Sequence, residues 1–156
     1  MGCDVIAFSE TSSKEAEALS LGARACYSTE SLKSAKLGRG LDVLIVTAPS
    51  PPDWSVYIPL LAPKAKIFPL TIDPGSLTIP SMPLLLNGIT IQGSVVSPRN
   101  VHERMLDFAA RHSVKPIVQK FAMDRDGILN AFEVLKEGKM RYRGVLVVPD
   151  EHRLTE

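Results

Sequence analysis

The residues best suited to chemistry stand close to the start of the chain, where Ser9, Thr11, Ser12, Ser13 and Lys14 follow directly on the apolar run VIAF at residues 5–8. A strand ending in serine, then a hydroxyl-rich turn with a lysine, then an amphipathic helix is the pattern at the ribose end of a dinucleotide site. Such a site needs an earlier strand carrying a glycine-rich phosphate loop, and only Met1, Gly2 and Cys3 precede the segment that opens at Asp4. The plainer reading of the same residues is a helix N-terminus with capping serines and a solvated lysine.

A second set, Thr47, Ser50, Thr71, Asp73 and Ser94, stands near the expected carboxyl ends of strands. Ligands bind outside those ends in open α/β sheets, so these polar groups are candidates for a small-molecule cleft, with turn or cap use the plainer alternative. The GxG at Gly38-Arg39-Gly40 leads into a strand and not a helix, so it reads as a turn and not a phosphate loop. Cys3 and Cys26 have no CxxC spacing and no neighbouring histidine, and His102, His112 and His152 are scattered. Reduced, buried thiols are expected, and no metal site. Arg141, Tyr142 and Arg143 form a small basic cluster that reads as solvated or ion-paired surface, with phosphate contact as the alternative.

These residues are positioned by alternating strand and helix patterns. Short apolar runs predict strands at residues 5–8, 25–27, 42–47, 65–70, 89–94, 117–121 and 142–148. Ser12 with Glu15 and Asn100 with Glu103 fit capping boxes, Asp53 is placed to cap a short helix through Trp54, Val56, Tyr57, Leu60 and Leu61 that Pro59 bends or limits, and a weaker helical stretch covers 31–36. Apolar stripes at Val101, Met105, Phe108 and Ala109, and at Ile128, Ala131, Phe132 and Leu135, predict two strong helices, the second stopping at Gly138. The expected fold class is α/β, a mostly parallel sheet covered on both faces.

Bulk composition agrees with one globular domain: 156 residues, 45% hydrophobic and 22% charged. Eighteen basic against seventeen acidic residues leave a net charge of +1, which gives no reason to expect nucleic acid or an anionic membrane as partner. No apolar run has the length of a membrane helix and the start lacks the regions of a secretory signal, so a cytoplasmic location is expected.

The succession VIAFSETSSKEAEALSLGA, LDVLIVT, AKIFPL, ITIQGS, NVHERMLDFAARHSVKP and AFEVLKEGKMRYRGVLV resembles the zinc-type alcohol dehydrogenases, nearest their NADP-preferring cinnamyl alcohol dehydrogenase branch. The resemblance covers the later part of that family's coenzyme domain, and implies an incomplete Rossmann-like, doubly wound sheet without its first strand and glycine-rich loop. It implies that Ser9, Thr11, Ser13 and Lys14 hold the 2'-phosphate of NADP, since an acidic residue stands at the position of Ser9 in NAD users; the adjacent Glu10 must point away. It also implies a homodimer joined through the strand region Ile89 to Ser94.

Three departures weaken NADP binding. The pyrophosphate loop is missing. Leu70 and Thr71 stand where the family usually has a glycine near the cofactor, and the strand expected between residues 5–8 and 42–47 is absent. The family's zinc-ligand segments match nothing in these residues, so no zinc is expected and zinc-dependent alcohol or aldehyde chemistry is not expected of this chain alone. The two strands left with open edges could pair directly, a second copy could donate an edge, or the natural protein could be longer. Three functions follow: a shortened NADP(H)-dependent oxidoreductase homologue, a cofactor-independent isomerase, cyclase or small-molecule binding protein, or an inactive pseudoenzyme.

Overall fold

The computed structural model describes residues 2–32, 35, 37–72 and 74–148. It divides the chain into two compact units, Met1–Val96 and Ser97–Glu156. All the strand pairing is parallel and falls in three separate ladders.

In the first unit β1 (Ile6–Ser9) pairs with β2 (Ala25–Ser28), with Ile6 opposite Ala25 and Ser9 opposite Ser28. Between them lie a 3-10 turn at Ser12–Lys14 and helix α1 (Glu15–Ser20). The expected Ser12–Glu15 capping box does not form. The turn is preceded by Thr11 with no side-chain cap, and Thr11 Oγ1 bonds Ser13 Oγ at 2.7 Å instead. The helix ends on Gly22 at φ +97°, whose N–H donates to the Leu19 carbonyl while Ala23 donates to Ala18. Helix α2 is the short segment Thr29–Leu32; residues 33, 34 and 36 of the stretch expected at 31–36 lie outside the described residues.

The second ladder runs β3 (Leu41–Val46), β4 (Leu61–Pro69), β5 (Thr90–Ile91). Gly38 and Gly40 form the expected turn into β3. Gly40 is required there, because a Cβ would lie 2.7 Å from the backbone nitrogen of Ala62. After β3, Asp53 caps α3 (Trp54–Tyr57) by accepting from the Ser55 N–H at 3.0 Å, and a 3-10 turn at Ile58–Leu60 takes up Pro59. Asp53→Ala should cost about 1 kcal/mol, the usual value of a lost N-cap, read as a lower urea midpoint with an unchanged slope.

Helix α4 (Ser81–Asn87) falls in a stretch to which the sequence assigns no element, and closes on Gly88 at φ +60°. Strand β5 is only two residues long, not the six expected, because backbone pairing with β4 ends at Ile91, with the Gln92 N–H donating to Ile67.

The core of this unit is Leu44, Val46, Trp54, Ile58 and Ile67, with Phe8, Tyr57 and Ile91 packed against it. Its centre is Ile67, fully buried on the middle strand. Along β3 the residues alternate, Leu44 and Val46 buried while Val43 and Ile45 are 49% and 58% exposed. The expected covering of both sheet faces is therefore not found on β3. One face of the strand lies on the core and the other is bare.

The second unit contains α5 (Arg99–Arg111), β6 (Val118–Ala122), α6 (Arg125–Lys136) and β7 (Arg143–Val147), with β6 and β7 parallel and Phe121 opposite Leu146. The Asn100–Glu103 capping box is not formed either. The helix starts two residues earlier, with Pro98 at the N-cap position, and Glu103 accepts from Arg99 at 2.8 Å, one helical turn away. Asp124 caps α6 through the Gly127 N–H at 2.7 Å. Phe121 is buried, whereas Met105, Phe132 and Leu135 of the two expected apolar stripes are exposed. Cys3 is exposed and Cys26 half-buried, both free, so burial of the thiols is corrected while their reduced state stands.

Candidate functional site

Ser9 closes β1, and its carbonyl accepts from Thr29 Oγ1 at 3.4 Å, which ties the strand's end to the start of α2. Beyond it the chain turns through Thr11 and Ser13, whose hydroxyls bond each other, to Lys14 at the last position of the 3-10 turn. Lys14 is exposed, and among the described residues no carboxylate is paired with it. A hydroxyl pair and an uncompensated ammonium thus lie at the carboxyl end of a parallel strand, where α/β sheets bind ligands.

A hollow of about 300 Å³ opens beside this turn, lined by Ser12, Glu15, Cys26, Tyr27, Ser28 and Ser31. Ser28 and Ser31 exchange backbone and hydroxyl hydrogen bonds of 2.9 to 3.2 Å, which fixes the end of β2 against α2. Of the turn's residues Ser12 lines the hollow, whereas Ser9, Thr11, Ser13 and Lys14 do not. The Glu15 carboxylate opposes a second negative charge on its own side. Ser28 and Ser31 were not singled out in the sequence, where they read only as a weak helix start.

A second cavity of about 170 Å³ lies at the carboxyl ends of β3 and β4, with Val46, Trp54, Pro69, Thr71 and Leu77 in its lining. Of the cleft candidates, Thr71 lines it, with its hydroxyl donating to the Ala48 carbonyl at 2.7 Å. Thr47 and Ser50 flank the strand exit without lining the cavity, Ser94 lies beyond the end of β5, and Asp73 lies outside the described residues. Nothing in the sequence points to Trp54 as part of this wall. Its indole Nε1 is buried with no hydrogen-bond partner.

Among the described residues no three His, Cys, Asp or Glu side chains are gathered in a way that could hold a metal ion. None of their helices is long and apolar enough to cross a membrane. Arg141 stands over the Tyr142 ring at 5.7 Å, with its N–H bonded to Gln119 Oε1 at 3.1 Å, so this part of the basic cluster is engaged in local structure.

Parallel ladders linked by helices, with polar turns at their carboxyl ends, define a protein of the dinucleotide-binding α/β class. Residues 1–111 match the model of the zinc-binding dehydrogenase family, and the chain belongs to that family. It is 34% identical over 146 residues to the aldehyde reductase AdhA of Synechocystis sp., a match covering 93% of this chain and 43% of that protein. It is 30% identical to NADP-dependent alcohol dehydrogenase C 1 of Mycolicibacterium smegmatis, covering 94% of this chain and 42% of the relative. Among solved structures, a cinnamyl alcohol dehydrogenase of Sorghum bicolor matches with a TM-score of 0.78 at 25% identity, covering 99% of this chain and 43% of that one. The chain therefore spans less than half the length of the relatives it matches. The resemblance and the α/β, partial Rossmann-like fold read from the sequence are both borne out by these matches.

Proposed function

We propose that this chain is a shortened NADP(H)-dependent alcohol dehydrogenase homologue that retains the part of the site that holds the ribose 2'-phosphate. The observation that carries the reading is the turn after β1, where the Thr11–Ser13 hydroxyl pair and Lys14, with no salt-bridge partner among the described residues, offer donors and a positive charge, and Ser9 stands as the last residue of the strand with Glu10 next to it. A carboxylate at Ser9 would accept from both ribose hydroxyls and repel a 2'-phosphate; a serine does neither. Relatives named as NADP-dependent alcohol dehydrogenases support the same choice.

In this reading Ser9, Thr11 and Ser13 donate hydrogen bonds to phosphate oxygens and Lys14 contributes charge, while NADP, when bound, supplies the hydride chemistry. The bound state involves no metal on these residues. The protein is a homodimer in the cytoplasm, and its sheet edge at β5 is the contact. Titration of the purified chain with NADPH should give a saturable fluorescence change at millimolar or lower concentration, with NADH at least tenfold weaker. Lys14→Ala should bring NADPH down to the NADH value. The absence of any saturable change with either cofactor would overturn the reading.

The cavity at the ends of β3 and β4 supports a second reading, a cofactor-independent role with a small, mostly apolar metabolite. Its walls are apolar apart from a few groups such as Thr71, the usual composition of a small-ligand site. A metabolite retained through native purification and lost in Thr71→Leu would favour it over the cofactor reading.

A further inference from the structure

The hollow beside the turn after β1 is rich in hydrogen-bond acceptors and poor in donors. Its lining is Ser12, Glu15, Cys26, Tyr27, Ser28 and Ser31, with no cation among them. A serine hydroxyl has one proton to give and two lone pairs with which to receive. The Ser28 hydroxyl gives its proton to Ser31 Oγ at 3.1 Å, and the Ser31 hydroxyl gives its own to the Ser28 carbonyl at 3.1 Å. The Ser31 N–H, at 3.2 Å, takes one lone pair of Ser28 Oγ and leaves the other. Both protons are thus spent where β2 meets α2, and Ser28 Oγ meets the hollow as an acceptor.

Glu15, the first residue of α1, adds a carboxylate, which when ionised only accepts. It has no ion pair among the described residues. The protons left in the lining are those of Ser12, Tyr27 and the weakly donating Cys26 thiol. An anion would meet the Glu15 charge, whereas a ligand rich in N–H and O–H finds acceptors. Tyr27 supplies an aromatic wall, its ring stacked on Phe8 with centroids 6.4 Å apart and planes at 27°. Such a ring has an apolar body that suits the C–H face of a sugar. At about 300 Å³ the hollow has the size of the smaller ligand pockets.

We propose that this hollow binds a small polyhydroxylated primary ammonium ion of amino-sugar size, its ammonium on the Glu15 carboxylate and one hydroxyl donating to Ser28 Oγ. Glu15 is exposed, so its charge contributes the modest preference of a surface ion pair, and the remaining selectivity comes from the number of donors the ligand brings. This site is independent of the cofactor turn, since Ser9, Thr11, Ser13 and Lys14 lie outside its lining.

The two cysteines provide the test. Cys26 lines the hollow and Cys3 is exposed elsewhere, so alkylation of the purified chain by iodoacetamide reads the site and an internal reference together. Glucosamine, glucose and glucuronate, of one ring size but differing in charge, are compared at equal ionic strength. Glucosamine should slow Cys26 alkylation saturably and leave Cys3 unchanged. Its half-protecting concentration should lie about threefold or more below that of glucose, the size of effect an exposed ion pair gives. Glucuronate should protect least. Glu15→Gln should bring glucosamine to the glucose value. The amide chemical shifts of Ser28 and Ser31 should move with the same midpoint, a second readout that does not depend on thiol reactivity.

The proposal is overturned by the absence of any saturable change at both Cys26 and the two amides, by glucose or glucuronate acting as well as glucosamine, or by a glucosamine preference that survives in Glu15→Gln. NADPH enters none of these measurements. Loss of NADPH binding with Cys26 still protected would fail the cofactor reading alone.

Discussion

Ile67→Ala is expected to destabilise the first unit by about 4 kcal/mol, the upper part of the range for a buried isoleucine cut to alanine. Ile67 is fully buried on the middle strand of its ladder, flanked by Leu44 of β3 and Ile91 of β5, so the lost methyl groups leave a cavity that a paired backbone cannot collapse to fill. Only a handful of large side chains in this unit share its burial, and whole domains are stable by roughly 5 to 15 kcal/mol. One truncation therefore removes most of the margin. Ile67→Val should cost about 1 kcal/mol, and Ile72→Ala, at a residue 92% exposed, less than about 0.5 kcal/mol. Urea unfolding followed by Trp54 fluorescence checks the series, since that indole lies in the same cluster.

Gly127→Ala is expected to be the most damaging single change in the second unit. A Cβ at this position would run into the carbonyl oxygen of Ala122, with the carbonyl carbon and nitrogen of the same residue at 2.9 and 3.0 Å. All three are backbone atoms, so the turn between β6 and α6 has to open. Opening it breaks the Gly127 N–H bond to Asp124, so steric strain and the lost cap add to about 2 to 4 kcal/mol. With Phe121 the one buried apolar side chain among the unit's described residues, that cost should abolish protection of the β6 and β7 amides in hydrogen exchange. Gly138→Ala is the contrast. Its φ of +67° is strained for alanine but its surroundings are open, so a cost of about 1 kcal/mol is expected.

The order of elements was legible in the sequence because each long strand is an apolar run bounded by glycine, proline or polar residues, as at LDVLIVT before APSPPD. The division into three ladders was not. An apolar run states that a strand wants covering, but not which edges find partners, and the bare face of Val43 and Ile45 carries the same residues a covered face would.

Helix α4 was not read from the sequence, and Pro80 and Pro83 stand in its run. Pro80 precedes the helix and Pro83 falls in its first turn, where a missing N–H is no loss. Both capping boxes were right in composition and wrong in geometry. In each case the helix begins at a residue other than the one the motif requires, and in the second Arg99 takes the Glu103 side chain. The turn from Ser9 to Lys14 was readable as a turn because its residues are consecutive. The wall formed by Trp54, Pro69 and Thr71 was not, since three separate segments bring it together.

The central claim is that the turn from Ser9 to Lys14 selects a ribose 2'-phosphate, and calorimetric titration with adenosine 2',5'-bisphosphate against adenosine 5'-monophosphate tests it most directly. The two ligands differ only in the 2'-phosphate, so the missing pyrophosphate loop does not affect the comparison. The bisphosphate should bind at least tenfold more tightly, with the difference shrinking as salt rises, as expected for an exposed lysine. Equal affinities, or no binding of either ligand at millimolar concentration, would contradict the account.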